Sequence, residues 1–210
     1  MGGVVGKNES PKAAVSETKL EARINEAIRR REVEGSTIKS FNSIILKFPK
    51  IDRSLRKCKA TFEDFDEDGN GAIDRGELKR CFHKLEISFT DEEVNDLFEA
   101  CDINEDMGMK FNEFIVLLCL VYLLKEDPAA EHAKSRMGML NLEATFETLV
   151  DAFVFLDKNK DGYSRRTCFC FSEEMDWDKN GMVNFKEFVF AFTRWVGIEE
   201  GDDDEGENDV

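Results

Sequence analysis

The chain has few histidines, and they stand in no catalytic context. Its 210 residues include two histidines, His83 and His132, which lie far apart in the sequence and have no nucleophile–base arrangement around them. Cys168 and Cys170 are separated by one residue and have no neighbouring histidine, so this spacing argues against a zinc site. We therefore predict that the protein is not an enzyme.

Long apolar runs are also missing, and we expect no secretory leader. The longest apolar run, residues 114–124, is 11 residues long, too short to span a bilayer, and predicts a buried helix. Because the start of the chain does not resemble a secretory signal, we expect reduced thiols and a cytoplasmic location, with the nucleus and the inner face of the plasma membrane as alternatives. The remaining cysteines lie among apolar helix positions and are predicted to be core residues: Cys58, Cys81, Cys101 and Cys119.

Positive charge is scarce and unevenly placed. The chain has 29 Lys and Arg against 45 Asp and Glu, a net charge of −16. This balance argues against nucleic-acid binding, which needs a basic face, and suits a cation-binding protein. Residues 1–60 nevertheless carry 14 Lys and Arg against 7 Asp and Glu, so a basic arm precedes an acidic body.

The most specific motif is the acidic segment at residues 66–77, DEDGNGAIDRGE. Oxygen-bearing side chains stand at positions 1, 3, 5 and 9, a glycine at position 6 allows the sharp bend, and a glutamate closes position 12. This is the pattern of an EF-hand loop, in which Ca²⁺ takes about six to eight oxygen ligands. The predicted ligands are the side chains of Asp66, Asp68, Asn70, Asp74 and Glu77 and the carbonyl of Ala72. Ile73, at position 8, is expected to form a short β-bridge with a neighbouring loop.

A second complete motif occupies residues 176–187, DWDKNGMVNFKE. Gly181 stands at position 6 and Val183 at position 8, as in the first loop. The side chains predicted to bind Ca²⁺ here are Asp176, Asp178, Asn180, Asn184 and Glu187.

Two further loops depart from the pattern. Loop two, residues 102–113, keeps positions 1, 3, 5 and 12 but has Met107 at position 6 and Lys110 at position 9. Since a methionine resists the backbone conformation that glycine adopts freely, we expect a weak or empty site that pairs structurally with loop one. Loop three, residues 157–168, matches the pattern at positions 1, 3, 5 and 6, but its position 12 is Cys168 where the bidentate glutamate is required. Its doubtful ligands are Asp157, Asn159 and Asp161.

The spacing between the loops differs in the two halves of the chain. Loops one and two start 36 residues apart, whereas loops three and four start 19 apart, with only residues 169–175 between them. Seven helical residues span about 10 Å, too little for two helices and a turn. We therefore predict a shortened third EF-hand and no normal pairing of loops three and four. Loop four would then bind Ca²⁺ weakly or pair with its copy in a homodimer.

The sequence divides into six segments. We predict a disordered arm at 1–18, a basic helical extension at 19–54, a first EF-hand pair at 55–125, a linker at 126–141, a truncated second pair at 142–198 and an acidic disordered tail at 199–210. Residues 19–34 predict a helix with Leu20, Ile24 and Ile28 on one face. Arg29 to Arg31 are interpreted as a solvated face, with membrane contact or autoinhibition as alternatives. Gly2 fits an N-myristoylation signal, but Gly6 replaces the preferred Ser or Thr, so acylation and weak membrane association through this arm stay open.

The chain resembles plant calmodulin-like proteins of the calmodulin superfamily. The resemblance rests on the loop motifs, the MGG start, the basic N-terminal extension and the stretches FNSIILKFPKID, LEISF, CDINEDMG and EEMDWDKNGMVNFKEF. It implies an all-α fold of EF-hand helix–loop–helix pairs with short β-bridges between paired loops, Ca²⁺ as the cofactor and no enzymatic activity. It also implies that the carbonyl of Met182 is a ligand in loop four and that of Tyr163 in loop three.

Three functions fit this resemblance. The leading prediction is a Ca²⁺ sensor that exposes an apolar surface and binds a helix of a target protein. A calcium buffer would bind the ion and barely open. A constitutive regulatory subunit resembling the B subunit of calcineurin would hold Ca²⁺ structurally beneath a permanent partner.

Overall fold

The computed structural model describes residues 18–35, 38, 40–84, 87, 89–104, 106–125, 142–165 and 172–198. The predictions for the arm at residues 1–17, the linker at 126–141, the tail at 199–210, and Gly2, His132, Cys168 and Cys170 lie outside these residues.

The described residues are mainly helical, which confirms the predicted all-α EF-hand class. The helices are α1 (Lys19–Glu34), α2 (Phe41–Ile45), α3 (Phe48–Arg56), α4 (Cys58–Phe65), α5 (Arg75–Lys84), α6 (Asp91–Cys101), α7 (Phe111–Lys125), α8 (Glu143–Leu156), α9 (Ser172–Met175) and α10 (Phe185–Trp195). Two strands of two residues each, β1 (Ser164–Arg165) and β2 (Met182–Val183), pair in antiparallel fashion.

Helix α1 forms over the predicted residues and packs onto the EF-hand body. Its start is fixed by a capping box, in which the hydroxyl of Thr18 accepts from the backbone N–H of Glu21 and the Glu21 carboxylate accepts from that of Thr18. The predicted stripe of Leu20, Ile24 and Ile28 is buried, and the helix contacts α6, α7 and α8. The basic extension is therefore part of the folded body.

Three consecutive arginines, Arg29 to Arg31, lie near the end of α1. Arg29 and Arg30 are exposed, and Arg30 forms an ion pair with Glu26 one turn away. Arg31 is more covered and its guanidinium lies 2.9 Å from the carboxylate of Glu147 on α8. Arg30 and Arg31 thus form ion pairs within the chain.

Helix α7 forms the centre of the core. Its residues 113–121 are all buried, which confirms the buried helix predicted from the apolar run. It packs against α1, α4, α6, α8 and, most extensively, α10. Because α7 ends the first EF-hand pair and α10 ends the second, this contact joins the two pairs into one hydrophobic core. Among the described residues, none of the helices is long and apolar enough to cross a membrane.

The four cysteines predicted as core residues are buried free thiols, as expected: Cys58, Cys81, Cys101 and Cys119. Burial raises the pKa of the Cys58 thiol to about 12, because the apolar surroundings disfavour the thiolate. Burial also raises the pKa of Cys119. These side chains therefore act as small apolar residues.

Loops three and four pair within the chain, so the prediction that a normal pairing is impossible was wrong. Ser164 lies opposite Val183 and Arg165 opposite Met182, which joins position 8 of loop three to position 8 of loop four. Loops one and two are joined at the same positions, where Ile73 and Met109 exchange two backbone hydrogen bonds of 2.9 Å. The prediction failed because it required two full helices between the loops, whereas the β contact needs only backbone N–H and C=O groups. No second copy of the chain is needed to form it.

Candidate metal centres

Loop one gathers its predicted carboxylates around one point. Side-chain oxygens of Asp66, Asp68 and Glu77 all lie within 4.8 Å of one another. Hydrogen bonds from the backbone fix the bend of the loop, since the Asp66 carboxylate accepts from the N–H groups of Asn70 at 3.0 Å and Gly71 at 2.8 Å. Gly71 has a φ of 85°, the left-handed conformation that permits this bend.

The closing glutamate of loop one stands on the first turn of helix α5. One oxygen of Glu77 accepts from the N–H of Glu67 and the other from the N–H of Asp74, both at 2.9 Å. The side chain of Asp74 in turn accepts from the N–H of Glu77 at 2.7 Å. Since each carboxylate oxygen has two acceptor sites, both oxygens of Glu77 keep one for a cation.

Loop four repeats this arrangement almost bond for bond. Asp176, Asp178 and Glu187 lie within 4.8 Å of one another, and Asp176 accepts from Gly181 N–H at 2.8 Å. Glu187 accepts from the N–H groups of Trp177 at 3.1 Å and Asn184 at 3.0 Å. The spacing argument predicted poor support and weak binding at this loop. Its backbone is paired with that of loop three, and the weak binding stays a prediction.

Loop two forms a third acidic group, which the predicted ligand set had left out. Asp102, Asp106 and Glu113 lie within 4.8 Å of one another. The departures noted in the sequence are visible in the geometry: Met107 has a φ of 66°, and the ammonium of Lys110 lies 3.4 Å from Asp106. The acidic residues at positions 1, 5 and 12 were the signal for this group, and Met107 and Lys110 were the reason for discounting it.

The positive φ of Met107 predicts that this residue destabilises loop two. A residue other than glycine in the left-handed region costs about 1–2 kcal/mol, and the Met107 side chain is 74% exposed and so loses little packing when removed. We expect Met107→Gly to raise the free energy of unfolding by about 1 kcal/mol in urea denaturation without Ca²⁺. Met107→Ala keeps the strain and should give no gain. Equal stability of the Gly and Ala variants would contradict this explanation.

Loop three has the predicted first half of a site. Asp157 accepts from the N–H of Gly162 at 2.7 Å, and Asn159 donates from its side chain to Asp161 at 2.8 Å. Within the residues that the structure describes, this loop has no group of three mutually close acidic side chains of the kind found in the other loops. Position 12, Cys168, lies outside those residues.

The donor sets fit a hard divalent cation. Each of the three groups offers carboxylate oxygens around one point, and Ca²⁺ prefers oxygen ligands in a flexible shell. Burial raises the pKa of Glu187, and the carboxylates of Asp178 and Asp176 raise it further, although backbone N–H groups lower it. Burial likewise raises the pKa of Glu113. A bound cation would relieve this crowding of negative charge.

Comparison with known proteins identifies the family of this chain. A model of the EF-hand domain pair matches residues 55–118, beginning where the first predicted pair begins. The chain is 63% identical to the probable calcium-binding protein CML21 of Arabidopsis thaliana, in an alignment covering 96% of this chain and 95% of the relative. The chain belongs to the calmodulin-like EF-hand proteins. The predicted resemblance is thereby confirmed, and Ca²⁺ is the cofactor of this family.

Two further members of the calmodulin-like group match over different lengths. The chain is 41% identical to the probable calcium-binding protein CML22 of Arabidopsis thaliana, over 87% of this chain and 92% of the relative. It is 31% identical to calmodulin-like protein 2 of Arabidopsis thaliana, over 60% of this chain and 84% of the relative. The first name is that of a probable calcium-binding protein and the second that of a calmodulin-like protein.

The alignment with CML21 also bears on the spacing of the loops. It spans 220 positions, whereas 96% of 210 residues is about 202, so about 18 aligned positions stand opposite gaps in this chain. This number is close to the 17-residue difference between the two loop spacings. The shortened third EF-hand stays a prediction, as do the individual ligand assignments.

Proposed function

We propose that the protein is a Ca²⁺ sensor in which loops one and four bind the ion and the resulting helix movement exposes an apolar surface. The observation that carries this proposal is the position of the closing glutamates. Glu77 and Glu187 each stand in the first turn of a helix, α5 or α10, whose apolar face lies in the core. An ion that draws in either glutamate therefore moves a core helix.

The contact between α10 and α7 would carry this movement through the body. Phe188 and Phe192 of α10 are buried, and Phe188 also packs against Phe153 of α8 with ring centroids 5.6 Å apart. Rotation of α10 would uncover such side chains, which form the kind of surface that an amphipathic target helix occupies. The β contact between loops three and four would couple the ion to both halves of the second pair.

The proposal includes a partner and a location. The partner is an amphipathic helix of another protein, and the cell compartment is the cytoplasm, with the nucleus and the inner face of the plasma membrane as alternatives. The four buried free thiols support a reducing compartment. Sensor sites bind Ca²⁺ at about 10⁻⁷–10⁻⁵ M, and we expect loops one and four to bind in this range.

Fluorescence of an apolar-surface dye tests the sensor proposal. We expect the dye signal to rise when Ca²⁺ replaces chelator, and the rise to disappear in the Glu77→Gln, Glu187→Gln double variant. The matched control is Glu63→Gln, which removes an exposed charge on α4 one turn before loop one and should respond like the wild type.

The two alternatives predict different results in the dye measurement, in calorimetry and in copurification. A calcium buffer would show calorimetric binding without any gain in dye fluorescence. A constitutive subunit would copurify with its partner in the presence of chelator. Either result would contradict the sensor proposal.

A further inference from the structure

The carboxylate of Glu32, near the end of α1, is buried against loop three. Glu32 is 9% exposed, and its Oε1 atom is buried without a hydrogen-bond partner. Its neighbour is the carboxylate of Asp157, the first residue of loop three, which is 2% exposed. Two buried carboxylates side by side favour a proton or a cation between them, because burial and like charge both disfavour the doubly ionised pair.

Loop three lacks the ligand that such a carboxylate would supply. In loops one, two and four a glutamate at position 12 lies beside the first aspartate, as in the pair Glu77 and Asp66. Position 12 of loop three is Cys168 in the sequence. The first aspartate is nevertheless arranged as in the other loops, with Asp157 accepting from the N–H groups of Gly162 at 2.7 Å and Lys160 at 2.9 Å.

Helix α1 is firmly placed against this loop. Ile28, one turn before Glu32, is fully buried, and Arg31 forms its 2.9 Å ion pair with Glu147 of α8, the helix that leads into loop three. Asn25 lies so close to Gly162 that a Cβ atom on that glycine would be 3.0 Å from the Asn25 side-chain oxygen. The position of Glu32 is therefore set by a packed helix, which is what a metal ligand requires.

We propose that Glu32 supplies to loop three, from a different helix, the carboxylate ligand that position 12 lacks, and so completes a third Ca²⁺ site. The other ligands are the side chains of Asp157, Asn159 and Asp161 and the carbonyl of Tyr163. The choice of Ca²⁺ as the ion rests on the proposed function of the other loops. The site would tie α1 to the second EF-hand pair in a calcium-dependent manner.

The charges around Glu32 agree with this role. Burial raises the pKa of Glu32 and the Asp157 carboxylate raises it further, whereas the nearby Lys160 and Arg29 lower it. A proton shared between Glu32 and Asp157 is the competing way to neutralise the pair. Ca²⁺ and the proton exclude each other here, so a calcium titration separates the two explanations.

The test follows each loop separately in the full-length, ¹⁵N-labelled protein. The N–H groups of Gly71, Gly162 and Gly181 each donate to the first aspartate of their own loop, so their amide resonances report Ca²⁺ binding loop by loop. We expect all three to shift in the wild type. Glu32→Gln should raise the Ca²⁺ concentration needed at Gly162 by about tenfold or more and leave the other two unchanged.

The matched control is Glu26→Gln, which changes an exposed glutamate on the same helix and should alter none of the three titrations. Glu32→Asp keeps the charge but has a shorter side chain, so it should weaken Ca²⁺ binding at Gly162 less than Glu32→Gln does. It replaces Glu32→Gln in the test if that variant folds poorly. A Gly162 response that is equal in wild type and Glu32→Gln would overturn the proposal. So would a wild type in which Gly71 responds and Gly162 does not, which indicates the shared proton. If neither the Gly71 nor the Gly181 resonance shifted on addition of Ca²⁺, the function proposed for loops one and four would instead be refuted.

Discussion

Replacing Glu77 with glutamine is expected to weaken Ca²⁺ binding at loop one by about two orders of magnitude, from the sensor range of about 10⁻⁷–10⁻⁵ M. The change keeps the size of the side chain but removes its charge and replaces one oxygen with an NH₂ group, which cannot bind a cation. The same loss is expected at loop four from Glu187→Gln, because the hydrogen bonds around the two glutamates correspond closely. Calorimetric titration of each variant would therefore show one tight site fewer than the wild type.

The comparison of these two variants also decides between the two views of the second EF-hand pair. From the loop spacing alone, only Glu77→Gln should have a large effect. The pairing of β1 with β2 instead predicts two comparable losses. Glu63→Gln provides the control for a lost surface charge. If Glu187→Gln left the number of tight sites unchanged, the intramolecular pairing would not be sufficient to support loop four.

Replacing Phe153 with alanine is expected to cost about 3–5 kcal/mol of unfolding free energy. Phe153 is fully buried and packs against Phe185 and Phe188 of α10, with ring centroids 5.4 Å and 5.6 Å apart. Its removal leaves a cavity between the entering helix of the third hand and the exiting helix of the fourth. Urea denaturation in excess chelator measures the loss without a contribution from bound Ca²⁺.

Phe155, on the same helix, provides the control for this loss. Its ring is only partly buried, and the ammonium of Lys158 lies 4.5 Å from its centroid. We expect Phe155→Ala to cost about 1 kcal/mol, as is usual for a site away from the centre of the core. Similar costs for the two variants would show that α8 and α10 do not pack as described.

Much of the candidate sites could be predicted from the sequence because an EF-hand loop is a local structure. The carboxylates of Asp66, Asp68 and Glu77 fall within 12 consecutive residues, and their spacing brings them together once the chain bends at Gly71. The helices flanking the loops were also predictable, since apolar side chains every three or four residues mark a buried face. The apolar stripe predicted on helix α1, Leu20, Ile24 and Ile28, shows the same rule, since it is buried.

How these local units combine depends on contacts between segments far apart in the sequence, which no local pattern gives. Counting residues between loops three and four could not show that Ser164 and Val183 meet, because a backbone contact depends on the path of the chain and not on its helical length. Nor could it show that α7 and α10 share one core or that Glu32 lies beside Asp157, 125 residues further along the sequence. The spacing of acidic residues along the sequence is enough to predict which loops offer oxygen ligands to Ca²⁺. Packing between distant segments determined which loops support one another, since burial and long-range contacts are properties of the whole fold.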